Sequence, residues 1–293
     1  DPAPLCFKVR KSKNRGKALS GQRTPNQSVL RNSTMNLMDQ PTNETRVPMD
    51  IAASQAARLQ LANVRIVLVD TLLTRNIGAA ARAMKTMGLV RLQLVRPQQL
   101  PDGEAYKLAA GSDDVLNSAE VFPDLATAIS DCALIFGVSA RRRRISLPLD
   151  SPASAADAGL ALGQAVAFVF GGEEAGLNNG DLLLCHRLLQ IPSDHEFGSL
   201  NLAAAVQVIA YELRKAALRE RTPAPVARRA PQAEFEQFMA HLLLRMQPDS
   251  GANSLLAERL RRLLQRAEPS RAELRMLRGL IGNLRRHASS KPR

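Results

Sequence analysis

Two short segments of this 293-residue chain combine residue types that could do chemistry. Downstream, an apolar, strand-like run reaches Ile191 and Pro192, a polar loop follows, and Ser199 and Asn201 lead into a helix of small and apolar residues. Upstream, the run Val64–Val69 feeds a polar loop and then an Ala-rich helix whose start is bracketed by Asn76 and Arg82. Each junction offers free backbone N–H groups and hydrogen-bonding side chains at one helix start. Asn76 and Ser199 equally suit plain N-cap positions, worth about 1 kcal/mol each, and Arg82 suits an ordinary exposed charge.

Other chemistries find little support. The glycine-rich segment Gly171–Leu177 lacks the G-x-G-x-x-G spacing of a dinucleotide loop and the lysine of a P-loop. His186, His195, His241 and His287 show no metal-ligand spacing. His195 lies four residues from Ser199, which says little about a triad, and no G-x-S-x-G elbow is present. Cys6, Cys132 and Cys185 are scattered and odd in number, as expected of free thiols in a reducing compartment. The expected location is therefore the cytoplasm. With no long apolar run, no membrane contact is expected.

The elements that must hold these segments alternate. Strand-like runs fall at Val64–Val69, Arg91–Val95, Ala133–Val138, Ala165–Phe170 and Leu188–Ile191. Helix-like runs fall between them at Gly78–Met87, Ala126–Cys132, Ala153–Leu162 and Asp181–Cys185, then at Leu200–Leu218, and Gly88 stands as a helix stop. The alternation predicts an α/β fold with a mainly parallel sheet. Its strands are apolar at successive positions because both faces are covered. In such sheets ligands bind beyond the strand C-termini, where the segments starting at Asp70, Gly137 and Gly171 lie.

Residues 1–60 read as a basic, disordered extension, 61–220 as the α/β domain, 221–231 as a Pro-rich linker and 232–293 as a helical extension. In the last part Leu255, Leu256, Leu260, Leu263 and Leu264 share one helix face, and Ser270 with Glu273 forms a capping-box signature. Arg259, Arg261, Arg262, Arg266, Arg271, Arg275, Arg278, Arg285 and Arg286 line the other faces. They suit either an RNA grip or a solvated dimerisation module. The net charge of +13 points to a polyanionic partner. With 3% aromatic residues and no Trp, recognition should rest on phosphates and shape more than on base stacking.

Five motifs in order carry a family resemblance: Val64–Val69, Asn76 to Gly88, Gly137 to Arg141, Phe170 to Leu177, and Ser199 to Ala203. Together they resemble the SPOUT methyltransferases, and within them the tRNA 2′-O-methyltransferases of the TrmJ type, from Val64 to the end of the chain. The resemblance implies a C-terminal trefoil knot in the sheet, a homodimer, and S-adenosylmethionine bound in the knot. It implies Val138, Ser139, Ala140, Gly171, Ile191, Gly198, Ser199 and Leu200 as the pocket lining. Arg82 becomes the catalytic arginine, and Asn76, Ser199 and Asn201 position the reacting groups. A guanidinium is ill suited to be a free base, so Arg82 is assigned to phosphate anchoring and oxyanion stabilisation. The dense run Arg141–Arg144 is a further source of positive charge. The implied substrate is a tRNA ribose at pyrimidine nucleotide 32 of the anticodon loop, with no metal. The alternatives are another tRNA or rRNA site, or a non-catalytic RNA-binding protein on the same scaffold.

Overall fold

The computed structural model describes residues 51–140, 147–194, 196, 198–219, 229–246 and 252–289. The basic segment 1–50 with Cys6, the run Arg141–Arg144, His195 and most of the expected linker (221–228) lie outside the described residues.

A seven-stranded sheet forms the centre, ordered β3-β2-β1-β6-β4-β7-β5. Its members are β1 (Val64–Val69), β2 (Arg91–Val95), β3 (Glu120–Phe122), β4 (Leu134–Val138), β5 (Leu149–Asp150), β6 (Val166–Phe170) and β7 (Arg187–Leu189). All six pairings are parallel. The alternating side chains of a strand point to opposite faces, and here both faces are dry. Ile66, Leu68, Phe136 and Phe168 enter one apolar layer, while Val67, Val69, Ile135 and Val169 enter the other. Burial on both sides explains the unbroken apolar runs. Phe136 and Phe168 stack at 4.9 Å between ring centroids.

The first layer is covered by α2 (Thr74–Met87), α6 (Pro152–Ala161) and α8 (Leu202–Ala217), the second by α5 (Leu125–Ala128) and α7 (Asn179–Leu184). As the sequence predicts, Gly88 ends α2 in the left-handed conformation, its N–H meeting Lys85 O and Met84 O. Against α2 lies the short α3 (Gly103–Ala109), followed by α4 (Asp113–Asn117). The contact admits only glycine at position 78, where a Cβ would sit 2.0 Å from the Ala105 carbonyl oxygen. Gly78→Ala is therefore expected to destabilise the protein by about 3 kcal/mol through overpacking. A urea midpoint equal to wild type would contradict this packing.

Several expectations change. Residues 51–60 do not belong to a disordered extension: Ile51–Leu61 form helix α1, which buries Ala57 and Leu61. Arg214 of α8 holds it through Ser54 Oγ at 2.7 Å. Helix α2 begins at Thr74, four residues before the expected Gly78, and β7 ends at Leu189, which leaves Ile191 in the following loop. The last residues of the expected linker are docked rather than free. Arg229 is buried, Ala230 N donates to Pro269 O, and Gln232 N donates to Cys132 O at 2.9 Å.

Beyond that seam lie α9 (Gln232–Met246), α10 (Ala252–Ala267) and α11 (Arg271–Ser289). Phe235, Phe238, Met239 and Leu274 form their small core. The capping box at Ser270 and Glu273 closes in both directions. On α10 the leucine face splits: Leu264 packs against the core, whereas Leu255, Leu256 and Leu263 are exposed.

His186 ties the sheet to the helical extension. Its Nδ1 accepts from Ile135 N at 3.1 Å, so Nε2 carries the proton and donates to Gln232 Oε1 at 2.6 Å. Burial, followed by the nearby Arg229 guanidinium, holds its pKa well below the usual value. The Gln232 bond opposes this, and Arg187 and Arg261 add to the depression. Since His186 stays neutral when folded but takes a proton near pH 6.5 when unfolded, stability is lost as pH falls below that value. The loss should approach about 1.4 kcal/mol per pH unit down to the folded pKa. His186→Gln should flatten the melting-temperature profile between pH 6.5 and 5, and an unchanged slope would remove His186 as the cause.

Candidate active site

At the C-terminal ends of β4 and β6, and in the loop after β7, the chain opens a cleft of about 630 Å³ including its mouth. This is where an open parallel sheet places its ligands. Val138, Ser139 and Ala140 line it from β4, Phe170, Gly171, Gly172 and Glu173 from β6, and Ile191, Gly198, Ser199, Leu200, Leu202 and Ala205 from the β7–α8 passage. All eight residues expected around a cofactor thus face one space. The loop after β6 folds back on itself, with Gly176 N donating to Gly172 O at 2.9 Å. A Cβ on Gly171 would lie 2.1 Å from Leu177 N, so only glycine allows that return.

Four residues were expected to do chemistry, and the structure separates them. Asn201, not Ser199, caps α8: its Oδ1 accepts from Ala203 N at 2.9 Å. Ser199 is exposed at the cleft. Asn76 is no cap either, because it sits inside the first turn of α2 and is buried. Asn201 Nδ2 donates to Asn76 Oδ1 at 3.1 Å, which joins the two polar junctions across 125 residues of sequence. Arg82 lies apart from these. It is exposed on α2, away from the cleft lining, and makes no ion pair or side-chain hydrogen bond with the described residues.

Glu173 is the residue to which sequence reasoning gave no role. Helix α2 has Leu73 at its cap position, which offers no side-chain acceptor. Glu173 supplies one from 100 residues away, accepting from Leu72 N at 2.9 Å, Leu73 N at 3.3 Å and Asn76 Nδ2 at 2.6 Å. Burial pushes the Glu173 carboxyl up, but donation from Leu72 N–H, the Asn76 amide and Leu73 N–H outweighs it and holds the group below the usual glutamate range. A negative charge at a helix N-terminus is also favoured by the helix dipole. The sequence carried no local signal for this: Thr71, Thr74 and Asn76 stand close to the helix start, yet the cap position falls on Leu73, which has no acceptor.

A second clamp steadies the same loop. Arg96 Nε and Nη2 reach Asp70 at 2.9 and 3.0 Å, and Nη2 also meets Asp181 Oδ2 at 3.1 Å. Asp70 and Arg96 both take left-handed backbone angles, φ 52 and 47, at the ends of neighbouring strands, a conformation that costs non-glycine residues energy unless the surroundings enforce it. Asp70 also passes close to the cleft loop, since a Cβ on Gly172 would come within 2.5 Å of Asp70 O. Among the described residues no group of three or more His, Cys, Asp or Glu side chains could hold a metal ion.

A parallel sheet with a glycine-walled cleft at its strand ends and a carboxylate-capped helix beside it defines an α/β protein with an open cleft next to a polar centre. Residues 63–211 match the SpoU rRNA Methylase family, and the chain belongs to that family. A TrmJ tRNA (cytidine/uridine-2′-O-)-methyltransferase of Sodalis glossinidius is 43% identical over 237 residues, covering 76% of this chain and 92% of that protein. Its counterpart from Cronobacter sakazakii is 42% identical and is covered completely, along 79% of this chain. In three dimensions the chain is similar to TrmJ from Z. mobilis ZM4, with a TM-score of 0.67 and 36% identity over 75% of this chain and 98% of that one.

Proposed function

We propose that this chain is a methyltransferase that moves a methyl group from S-adenosylmethionine to a ribose 2′-oxygen of tRNA. The observation that carries the reading is the joined set of Glu173, Asn76 and Asn201 beside the cleft, in a chain of methylase family with TrmJ-named relatives at above 40% identity.

The residues fit such a donor. Gly171, Gly172 and Gly198 let ligand and backbone approach closely, while Val138, Ile191, Leu200 and Leu202 give apolar walls. When bound, S-adenosylmethionine supplies an electrophilic methyl group on a sulfonium. Everything else falls to the chain. Ser199 offers a hydroxyl at the cleft for orienting the ligand or the ribose. Asn76 and Asn201 fix each other, and Glu173 fixes Asn76, so that the α8 start stays aligned with α2. Arg82 anchors a phosphate and stabilises the charge that develops on the 2′-oxygen as its proton leaves to phosphate or water. In-line placement of oxygen and methyl provides much of the rate.

Because Arg82 stands outside the cleft of its own protomer, the reading needs a homodimer that brings Arg82 to a cleft. Its support is the outer stripe of α8 and its cap, where Ala204, Tyr211 and the C-cap Leu218 recur every seven residues and the last two are 53% and 41% exposed. The trefoil knot belongs to the same reading. Its support is the strand order, with β7 inserted between β4 and β5 before the chain returns to α8 on the opposite side. The target we assign is the ribose of pyrimidine nucleotide 32, in the cytoplasm. Incubation with labelled S-adenosylmethionine and unmodified bulk tRNA should yield a 2′-O-methylated pyrimidine nucleoside. No transfer, with tRNA still bound tightly, would instead support the non-catalytic RNA binder.

A further inference from the structure

Arg75 stands on α2 seven residues before Arg82, which places both guanidinium groups on one side of the helix. Both are exposed, and neither has an ion-pair or side-chain hydrogen-bond partner among the described residues. The two differ from the other charges around the junction, where Asp70, Arg96, Asp181 and Glu173 are all engaged. Arg75 is also placed against local preference. A cation in the first turn of a helix is disfavoured by the dipole, by about 0.3–1 kcal/mol, and the stability of α2 gives no reason for it. Its backbone is nonetheless held firmly, because the next residue is Asn76, bonded to both Glu173 and Asn201.

We propose that Arg75 is a second phosphate-binding residue for the RNA substrate, working with Arg82 as a two-point rail along α2. This rests on the function proposed above. The two positions are two helical turns, about 10 Å, apart. With the side chains extended in parallel, that spacing addresses two different phosphates of the same strand. Arginine suits the task, since its planar fork matches phosphate oxygens and its charge does not depend on pH in the working range. Two fixed contacts would set the position and direction of the strand along α2, while carrying no base information themselves. The aromatic-poor composition of the chain fits recognition through phosphates.

The test is tRNA binding by the full-length protein from 50 to 300 mM salt, for wild type, Arg75→Ala and Arg75→Lys, with S-adenosylmethionine affinity and melting temperature measured alongside. Loss of one phosphate contact should weaken tRNA binding at low salt about tenfold and reduce the slope of log K against log salt by about 0.7. Arg75→Lys should restore most of the slope, because a lysine still neutralises a phosphate. Cofactor affinity should not change, as Arg75 is not part of the cleft lining. The melting temperature should hold or rise, since the substitution removes an unfavourable helix-end charge. A salt slope in Arg75→Ala equal to that of a wild type that does methylate tRNA would overturn this inference and leave the proposed function standing. A drop in melting temperature with the slope unchanged would make Arg75 structural and overturn it as well. Absence of salt-dependent tRNA binding in the wild type would overturn both.

Discussion

Arg82→Ala should reduce methyl transfer about a thousandfold while leaving the affinity for S-adenosylmethionine within about twofold of wild type. The magnitude follows from removing a fixed cation aimed at developing oxyanion charge, which costs typically 10²–10³ in turnover, together with one phosphate contact. Cofactor affinity should be spared because Arg82 does not line the cleft. Stability should be spared too, since an exposed residue on an Ala-rich helix, without an ion-pair or side-chain hydrogen-bond partner among the described residues, contributes little to the fold. Calorimetry with the cofactor and single-turnover kinetics on tRNA separate the two effects. Retained turnover would take Arg82 out of the chemistry. Equal loss of turnover and cofactor binding would mean that the substitution disturbs the cleft instead.

Glu173→Ala should damage both fold and activity. The substitution leaves Leu72 N, Leu73 N and Asn76 Nδ2 without their shared acceptor. Water can serve some of these donors, so a loss of about 2 kcal/mol is expected rather than the sum of three bonds. Asn76 would then lose the constraint that keeps its oxygen toward Asn201 Nδ2, now 3.1 Å away. Turnover should fall about a hundredfold, because reacting groups that are loosened by about 1 Å lose orientation. The effect also has a pH signature. The folded-state pKa of Glu173 is lowered, so its contribution is present above the unfolded value of about 4.3 and disappears as pH falls through the folded value. Wild type should therefore lose part of its advantage over Glu173→Ala in acid, below about pH 4. Glu173→Gln keeps an oxygen acceptor without the charge and should fall between the two. A variant as stable and active as wild type would show that the cap is dispensable.

How far the sequence reveals this arrangement depends on whether a feature is local. Strands β1 and β2 are legible to the residue because short, mainly apolar runs end at the polar residues Asp70 and Arg96. The Ser270–Glu273 box is legible for the same reason: both partners lie within one helical turn. By contrast, α4, β3 and β5 are five, three and two residues long, too short for a periodicity to show. Ile191 was assigned to a strand by its apolar character, but pairing with β4 and β5 stops at Leu189. Asn76 and Ser199 resembled caps since both precede helical runs. The real cap of α8 is Asn201, and that of α2 arrives from Glu173 across the sheet. No local pattern could disclose the latter, which depends on β6 lying beside β1. The exposure of Arg82 outside the cleft likewise follows from how α2 is rotated against the sheet, which residue types alone leave open.

The most direct test of the account is fragment mass spectrometry of unmodified tRNA after incubation with the full-length protein and S-adenosylmethionine. The account predicts one new methyl group, carried on a ribose 2′-oxygen of the pyrimidine at nucleotide 32, and none in a parallel reaction with Arg82→Ala. A methyl group on a base, or methylation undiminished in that variant, would contradict it.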